Sequence, residues 1–239
     1  MSDGGTCVPD DPAEQRSAGI RHDWDLSAAE ARRLQSRLAA GICMEPLAGV
    51  PSLIAGVDCG LERDGRIRAV VTLLRYPSLE TARIAVARTP CRFPYVPGLL
   101  SFREMPAVLA ALEKLHAMPD LLLCDGQGIA HPRRLGIASH LGLWLDRPSI
   151  GVGKSRLIGS FREPGMERGD WTPLLGGRER IGSVVRTRSR VRPVFVSPGH
   201  RIDHDSAVDW VLRTVTRYRL PDPIRLADKA TRGSEHRQE

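Results

Sequence analysis

Apolar and polar positions follow two different periods along this chain, and the switches between them lay out the elements. From Leu26 to Ile42 the spacing is helical, with Leu34 and Leu38 on one face and Ser27 three residues before Glu30. A Ser that accepts from the third helical amide while a Glu reaches back to the cap is a capping box, so a helix is predicted here. The next stretch, SLIAGVDCGLERDGRIRAVVTLLRYPSLETARIAVARTP, divides into three apolar runs: one ending at Asp58, one through Val70 to Leu74, one around Ile84 to Ala87. Asp64 and Gly65 mark a turn, and the short connections predict an antiparallel meander.

Helical spacing returns in MPAVLAALEKLHAMP, at Val108, Leu109, Leu112 and Leu115. DLLLCDG then reads as a continuous apolar strand of the kind buried on both faces of a parallel sheet. SHLGLWLDRP predicts a short helix, SIGVGKS a strand, IGSVVRTR and RPVFVSPGH two more, and DHDSAVDWVLRTVTRY a closing amphipathic helix. Residues 161–180 carry no period and read as loop. The order implies an α/β fold in one domain, a mixed central sheet with an antiparallel meander plus parallel strands, flanked by helices. Residues 1–22 and 222–239 read as polar, mobile tails around a domain spanning 23–221.

Composition narrows the partners. Among 239 residues, 35 Lys and Arg against 28 Asp and Glu leave a charge of +7, which suits a polyanion without requiring one. No run of eighteen apolar residues exists, so no membrane helix is expected, and the first residues lack the pattern of a secretory signal. Cys7, Cys43, Cys59, Cys91 and Cys124 are odd in number and form no C-x-x-C, which suits reduced thiols and a cytoplasmic location.

The candidate chemistry gathers at element ends. Two apolar strands finish in an aspartate, IAGVD at Asp58 and LLLCD at Asp125; as parallel neighbours they would emerge at one sheet edge. A lone strand-end Asp ordinarily caps a turn, but two brought together repel unless protonated or bridged by a cation, and hard oxygen donors suit Mg²⁺ or Mn²⁺. Glu104 adds a third acid at what reads as a helix start, where its ordinary role is to complement the dipole. It follows PYVPGLLSFRE, a stiff turn that carries Tyr95 between Pro94 and Pro97. DGQGIAHPRRLGIASHLG, with four glycines, His131 and paired Arg133 and Arg134, can fit a flat ring and phosphates against backbone amides. GVGKS lacks the first glycine of a phosphate loop, since position 148 is Pro148, so Lys154 reads as a single cation beside a strand end. His200 and His204 follow a Ser197-Pro198-Gly199 turn, and a zinc pair is disfavoured without a third soft ligand.

Taken in order, IAGVDCG, PYVPGLLSFRE, DGQGIAHPRRLGIASHLG, GVGKSRLIG and VSPGHRI closely resemble the endonuclease V (deoxyinosine 3′-endonuclease) family over roughly residues 25–220. The resemblance implies an RNase H-like fold and Mg²⁺-dependent hydrolysis of the second phosphodiester bond 3′ to a deoxyinosine, leaving 3′-hydroxyl and 5′-phosphate ends, as a step of DNA repair. By motif, Asp58, Glu104 and Asp125 match the acidic metal site and His200 the histidine associated with it. Lys154 matches the lysine near the reacting phosphate and His131 the histidine of the Gly-rich motif. The resemblance also makes Tyr95 and Pro97 part of a wedge that fills the gap left by an everted base, and places the base pocket on main chain around Gly98, Leu100, Gly126, Gly136 and Ile137. An RNA substrate containing inosine is one alternative, a non-catalytic nucleic-acid-binding module a second, and a monomer is expected.

Overall fold

The computed structural model describes residues 20–233. Among these residues, five helices and eight strands form three layers. The single mixed sheet has the order β3-β2-β1-β4-β5-β8-β7-β6. Ser27 opens α1 (Ala28–Ala39) with the predicted capping box: its hydroxyl accepts from the Glu30 amide, and Glu30 accepts from the Ser27 amide at 2.8 Å. The meander follows as β1 (Leu53–Leu61), β2 (Arg66–Arg75) and β3 (Glu80–Pro90), each pair antiparallel.

After α2 (Leu100–Glu113), β4 (Leu121–Asp125) lies parallel to β1, and after α3 (Ile137–Leu145), β5 (Ser149–Gly153) lies parallel to β4. The continuous apolar run of β4 is explained by cover on both sides. Leu122 and Cys124 join Ala55, Val57, Met105 and Leu141 under α2 and α3, whereas Leu121 and Leu123 join Ile54, Ile150 and Trp210 on the opposite face. Alternate side chains of one strand thus feed two cores.

Two stretches depart from the pattern reading. Part of the stretch read as loop, residues 161–180, forms β6 (Trp171–Gly176), antiparallel to β7 (Glu179–Val185). β6 ends the sheet, where an edge strand tolerates Pro173 and needs no alternation, and Leu174 is its buried residue. The Ser197-Pro198-Gly199 turn is also overturned: these residues lie inside β8 (Val194–His200). Pro198 sits beyond the last residue paired to β7, next to a register shift against β5, so its missing N–H breaks no ladder.

The larger correction concerns the end of the chain. After α4 (His204–Arg213), capped by Asp203 accepting from the Ser206 amide, residues 222–232 are not a tail. They form α5 (Asp222–Arg232), which packs on β1 and β2 with Ile224 and Ala227 buried. Gly56 permits this contact: a Cβ there would lie 2.1 Å from the Pro223 carbonyl carbon, and Thr72 donates to the Pro223 carbonyl at 2.8 Å. The other tail lies largely outside the described residues, as does Cys7; none of the four described cysteines forms a disulfide. No described helix is long and apolar enough to cross a membrane.

Candidate active site

The parallel pairing of β1 and β4 sets Val57 beside Cys124, so the next residues, Asp58 and Asp125, emerge together at the C-terminal edge of the sheet. β5 sets Val152 beside Asp125 and delivers Lys154 just past its own end. α5 crosses from the other side and brings Asp228, so that oxygens of Asp58, Asp125 and Asp228 lie within 4.8 Å of one another. Lys154 Nζ donates to Asp125 Oδ2 at 2.5 Å and to Asp228 Oδ1 at 2.7 Å, and Arg232 Nη2 also donates to Asp228 at 2.7 Å.

The electrostatics are uneven. Burial raises Asp58, and the Asp125 charge adds to that, against a hydrogen bond from Thr231 that favours ionisation. Against the cost of burial, Lys154 and Arg232 hold Asp228 below the ordinary carboxylate value. Glu104 is pushed up to about 8, by burial first and then by the Asp58 and Asp125 charges, with Arg103 opposing. Carboxylates forced together in a partly buried site favour protonation or a cation.

Glu104 is therefore at the site, but not at the helix start that its sequence position suggested. α2 begins at Leu100, which places Glu104 in the second turn and away from the helix dipole. Its carboxylate stands outside the set of three, close enough to feel two of them.

His200 is not at this site. It pairs with Ser149 at the start of β5, about 13 Å of strand from Gly153 at four steps of ~3.3 Å. There it is structural. Its Nδ1 accepts from the Cys43 amide at 3.2 Å, so Nε2 donates to Asp146 Oδ1 at 3.1 Å, on the residue that ends α3. Burial lowers its pKa despite Asp146. The residue that sequence reasoning missed is Asp228. Pro223 in the first helical turn and the Ile224, Ala227 spacing were signals for its helix, but a polar C-terminal stretch outweighed them.

Beside the acidic edge, past Gly126 and Ser155, opens a cavity of about 280 Å³ lined by Tyr95, Pro97, Gly98, Leu100, Gly126, Gly136 and Ile137. All seven positions that the family resemblance assigned to substrate binding line this one cavity. Its walls include the N-termini of α2 and α3, neither of which has a side-chain cap. Uncapped helical amides are ready donors. Tyr95 stands at the rim, 73% exposed, with the Arg103 guanidinium 5.7 Å from its ring centroid.

The turn behind Tyr95 is fixed from below. Gly98 has φ +78°, and its carbonyl accepts from Gln35 Nε2 at 3.0 Å and Arg133 Nη2 at 2.9 Å. Gln35 also donates to the Leu135 carbonyl at 2.7 Å, which ties α1 to both walls. His131 belongs to this cavity, not to the acidic edge. Burial, then Arg133, lowers its pKa to about 4, and its Nδ1 accepts from the Arg133 amide at 3.2 Å.

Known proteins resemble this chain in sequence and fold. The Endonuclease V family model matches residues 36–229. The endonuclease V of Alkalilimnicola ehrlichii is 57% identical over 216 residues, which cover 90% of this chain and 95% of that protein. The crystal structure of endonuclease V from Streptomyces avermitilis, 41% identical, gives a TM-score of 0.85 and covers 90% of this chain and 96% of its own. Ciona intestinalis endonuclease V in complex with a 24mer DNA containing an inosine followed by a ribo-adenosine is 26% identical, with a TM-score of 0.77 over 88% of this chain and 98% of that one. Argonaute from A. aeolicus, 15% identical with a TM-score of 0.51 over 77% of this chain and 29% of its own, shares the fold alone. With a family match that spans most of the chain and an RNase H-like sheet that places acids and cavity side by side, the chain belongs to the endonuclease V family and is an endonuclease.

Proposed function

We propose that this endonuclease acts in DNA repair on strands containing deoxyinosine, and hydrolyses the second phosphodiester bond 3′ to the altered base, leaving 3′-hydroxyl and 5′-phosphate ends. The observation that carries the reading is the adjacency of a three-aspartate edge to a cavity flanked by Tyr95. The Ciona relative, bound to inosine-containing DNA, supports it.

The donor set fits a hard divalent cation, since three carboxylate oxygens within 4.8 Å otherwise repel one another. Asp58, Asp125 and Asp228 would hold Mg²⁺, or Mn²⁺ in its place, with Glu104 beside them; when bound, the ion supplies Lewis-acid stabilisation of phosphate charge and lowers the pKa of water. Lys154, with three donors on a flexible stem, offsets charge that develops on the phosphate. Tyr95 fills the space vacated by the everted base, and the rigid prolines around it limit the entropy lost on insertion. Extrusion costs a few kcal/mol and least for a mispaired base, which favours inosine over a normal purine.

In the cavity, main-chain amides near Leu100 and Ile137 donate to the O6 and N7 acceptors of hypoxanthine. A carbonyl excludes the 2-amino group of guanine. Comparing cleavage at inosine and guanosine sites tests this, and equal rates would remove it.

The ribo-adenosine after the inosine in the Ciona complex favours a second reading, inosine-containing RNA as substrate. Nicking assays on matched deoxyinosine, inosine-RNA and unmodified strands, with and without EDTA, separate the readings. Inosine-dependent, EDTA-sensitive nicking of DNA is expected; nicking confined to RNA, or indifferent to inosine, refutes the first reading.

A further inference from the structure

On the far side of the acidic edge from the base cavity lies a larger groove, about 780 Å³, between the β1–β2 hairpin and α5. Asp125 and Lys154 line the groove, while their chain neighbours Gly126 and Ser155 line the cavity, so a seam two residues wide separates the two depressions. Beyond the three aspartates the charged residues of the groove wall are mainly basic: Arg63, Arg66, Arg68, Arg88, Arg232 and Lys154, against Glu62 and Asp64. From this placement we infer that the groove is the track for the nucleic-acid strand 3′ of the scissile bond, whose phosphates are bound by the hairpin arginines. The inference rests on the functional reading above: if the base occupies the cavity and cutting falls 3′ of it, the strand must cross the seam and leave on the groove side.

Two observations point to an anionic occupant. Arg68 is 9% exposed and lines the groove, and its Nε has no hydrogen-bond partner among the described residues. The rest of its guanidinium is engaged by Nη2, which donates to the Ala230 carbonyl at 3.0 Å, and by a longer Glu62 contact at 3.8 Å. A buried donor left unmatched costs free energy that a phosphate oxygen would recover. Arg63, exposed at the hairpin tip, makes no ion pair or hydrogen bond among the described residues. The neighbouring Arg66–Asp64 pair, at 2.6 Å, is open to solvent and contributes little, so it can yield to a phosphate, whereas Arg88 is held by both oxygens of the partly buried Glu62 at 2.9 Å.

The test is a cycle of substrate length against mutation. Arg63→Ala is exposed and does not threaten the fold. Nicking kcat/KM is measured on deoxyinosine strands with a long 3′ flank of about ten nucleotides, and on strands that end one nucleotide past the scissile bond. The expected result is a loss of roughly 3–10-fold on the long flank, a salt slope shallower by about 1, and no loss on the short one. Truncating the 5′ flank should leave the effect of the mutation intact, and Arg75→Ala, at the opposite end of β2, should change neither substrate. An equal loss on both flank lengths, or a loss that vanishes with the 5′ flank, overturns the inference. Absence of inosine-dependent nicking by the unaltered protein would count against the functional reading instead, before any variant is compared.

Discussion

At the acidic edge, carboxylates from four separate elements crowd together, and burial with mutual repulsion raises Asp58 and Glu104. In the adjacent cavity the walls come mainly from two contiguous motifs, its buried His131 is held neutral, and the carbonyl at its hinge already has two donors. One region is electrostatically unfinished and the other is pre-set. Under the proposed function the difference teaches a division of labour: a site that must stabilise charge keeps unmatched charge, whereas a site that reads a neutral ring fixes its own polar groups first.

Substitutions can break this division. Asp125→Asn should cost the largest factor, about 10³-fold in nicking, while inosine-strand affinity measured by fluorescence anisotropy persists; retained turnover would remove Asp125 from the chemistry. Asp228→Asn should cost about 10–100-fold in nicking and raise the Mg²⁺ concentration needed for half-maximal rate. His200→Gln provides the contrast. It should leave that Mg²⁺ requirement unchanged and lower stability by about 1–3 kcal/mol in urea denaturation, through the lost Asp146 contact. Tyr95→Ala should reduce discrimination between inosine and unmodified strands by about tenfold, the scale of one base–aromatic stack, with general strand affinity nearly unchanged.

The smallest effect concerns pH. His131 has a folded pKa of about 4, below the usual 6.5, so above pH 6.5 it is neutral in both states and contributes no pH dependence. Below 6.5 the unfolded chain takes up a proton that the native state refuses, and stability falls until the native histidine itself protonates near 4. Glu104, raised to about 8, works in the opposite sense over much of this range, so the histidine is isolated by difference. His131→Asn offers an acceptor near Nδ1 without titrating. Its stability relative to the parent should improve by about 1.4 kcal/mol between pH 7.5 and 5.5, and an unchanged difference would show that His131 titrates alike in the folded and unfolded chain.

Much of this was legible from local chemistry. The Ser27 and Glu30 box and the doubly buried run of β4 depend on neighbours in sequence or on one period, and they stand as read. The elements that were misread owe their state to distant contacts. β6 is a strand because β7 offers an edge, and Pro198 is tolerated in β8 because β7 has already stopped pairing. α2 starts a turn earlier than its apolar spacing suggested, with Pro106 inside it, because Phe102 is buried against Phe93, Leu99 and the residues of α1.

The sequence by itself determined which residues could bear chemistry and the order of the elements that carry them, since acids that close apolar runs, a proline-stiffened aromatic and a glycine-rich turn are written in short contiguous stretches. Only the tertiary structure decided which of them meet. Parallel pairing of β1 with β4 joined Asp58 to Asp125, a close approach at Gly56 docked α5 and supplied Asp228, and the direction of β8 carried His200 to the opposite end of the sheet. The physical reason is that a charge's role depends on distance and burial, and both are set by packing between segments far apart in the chain.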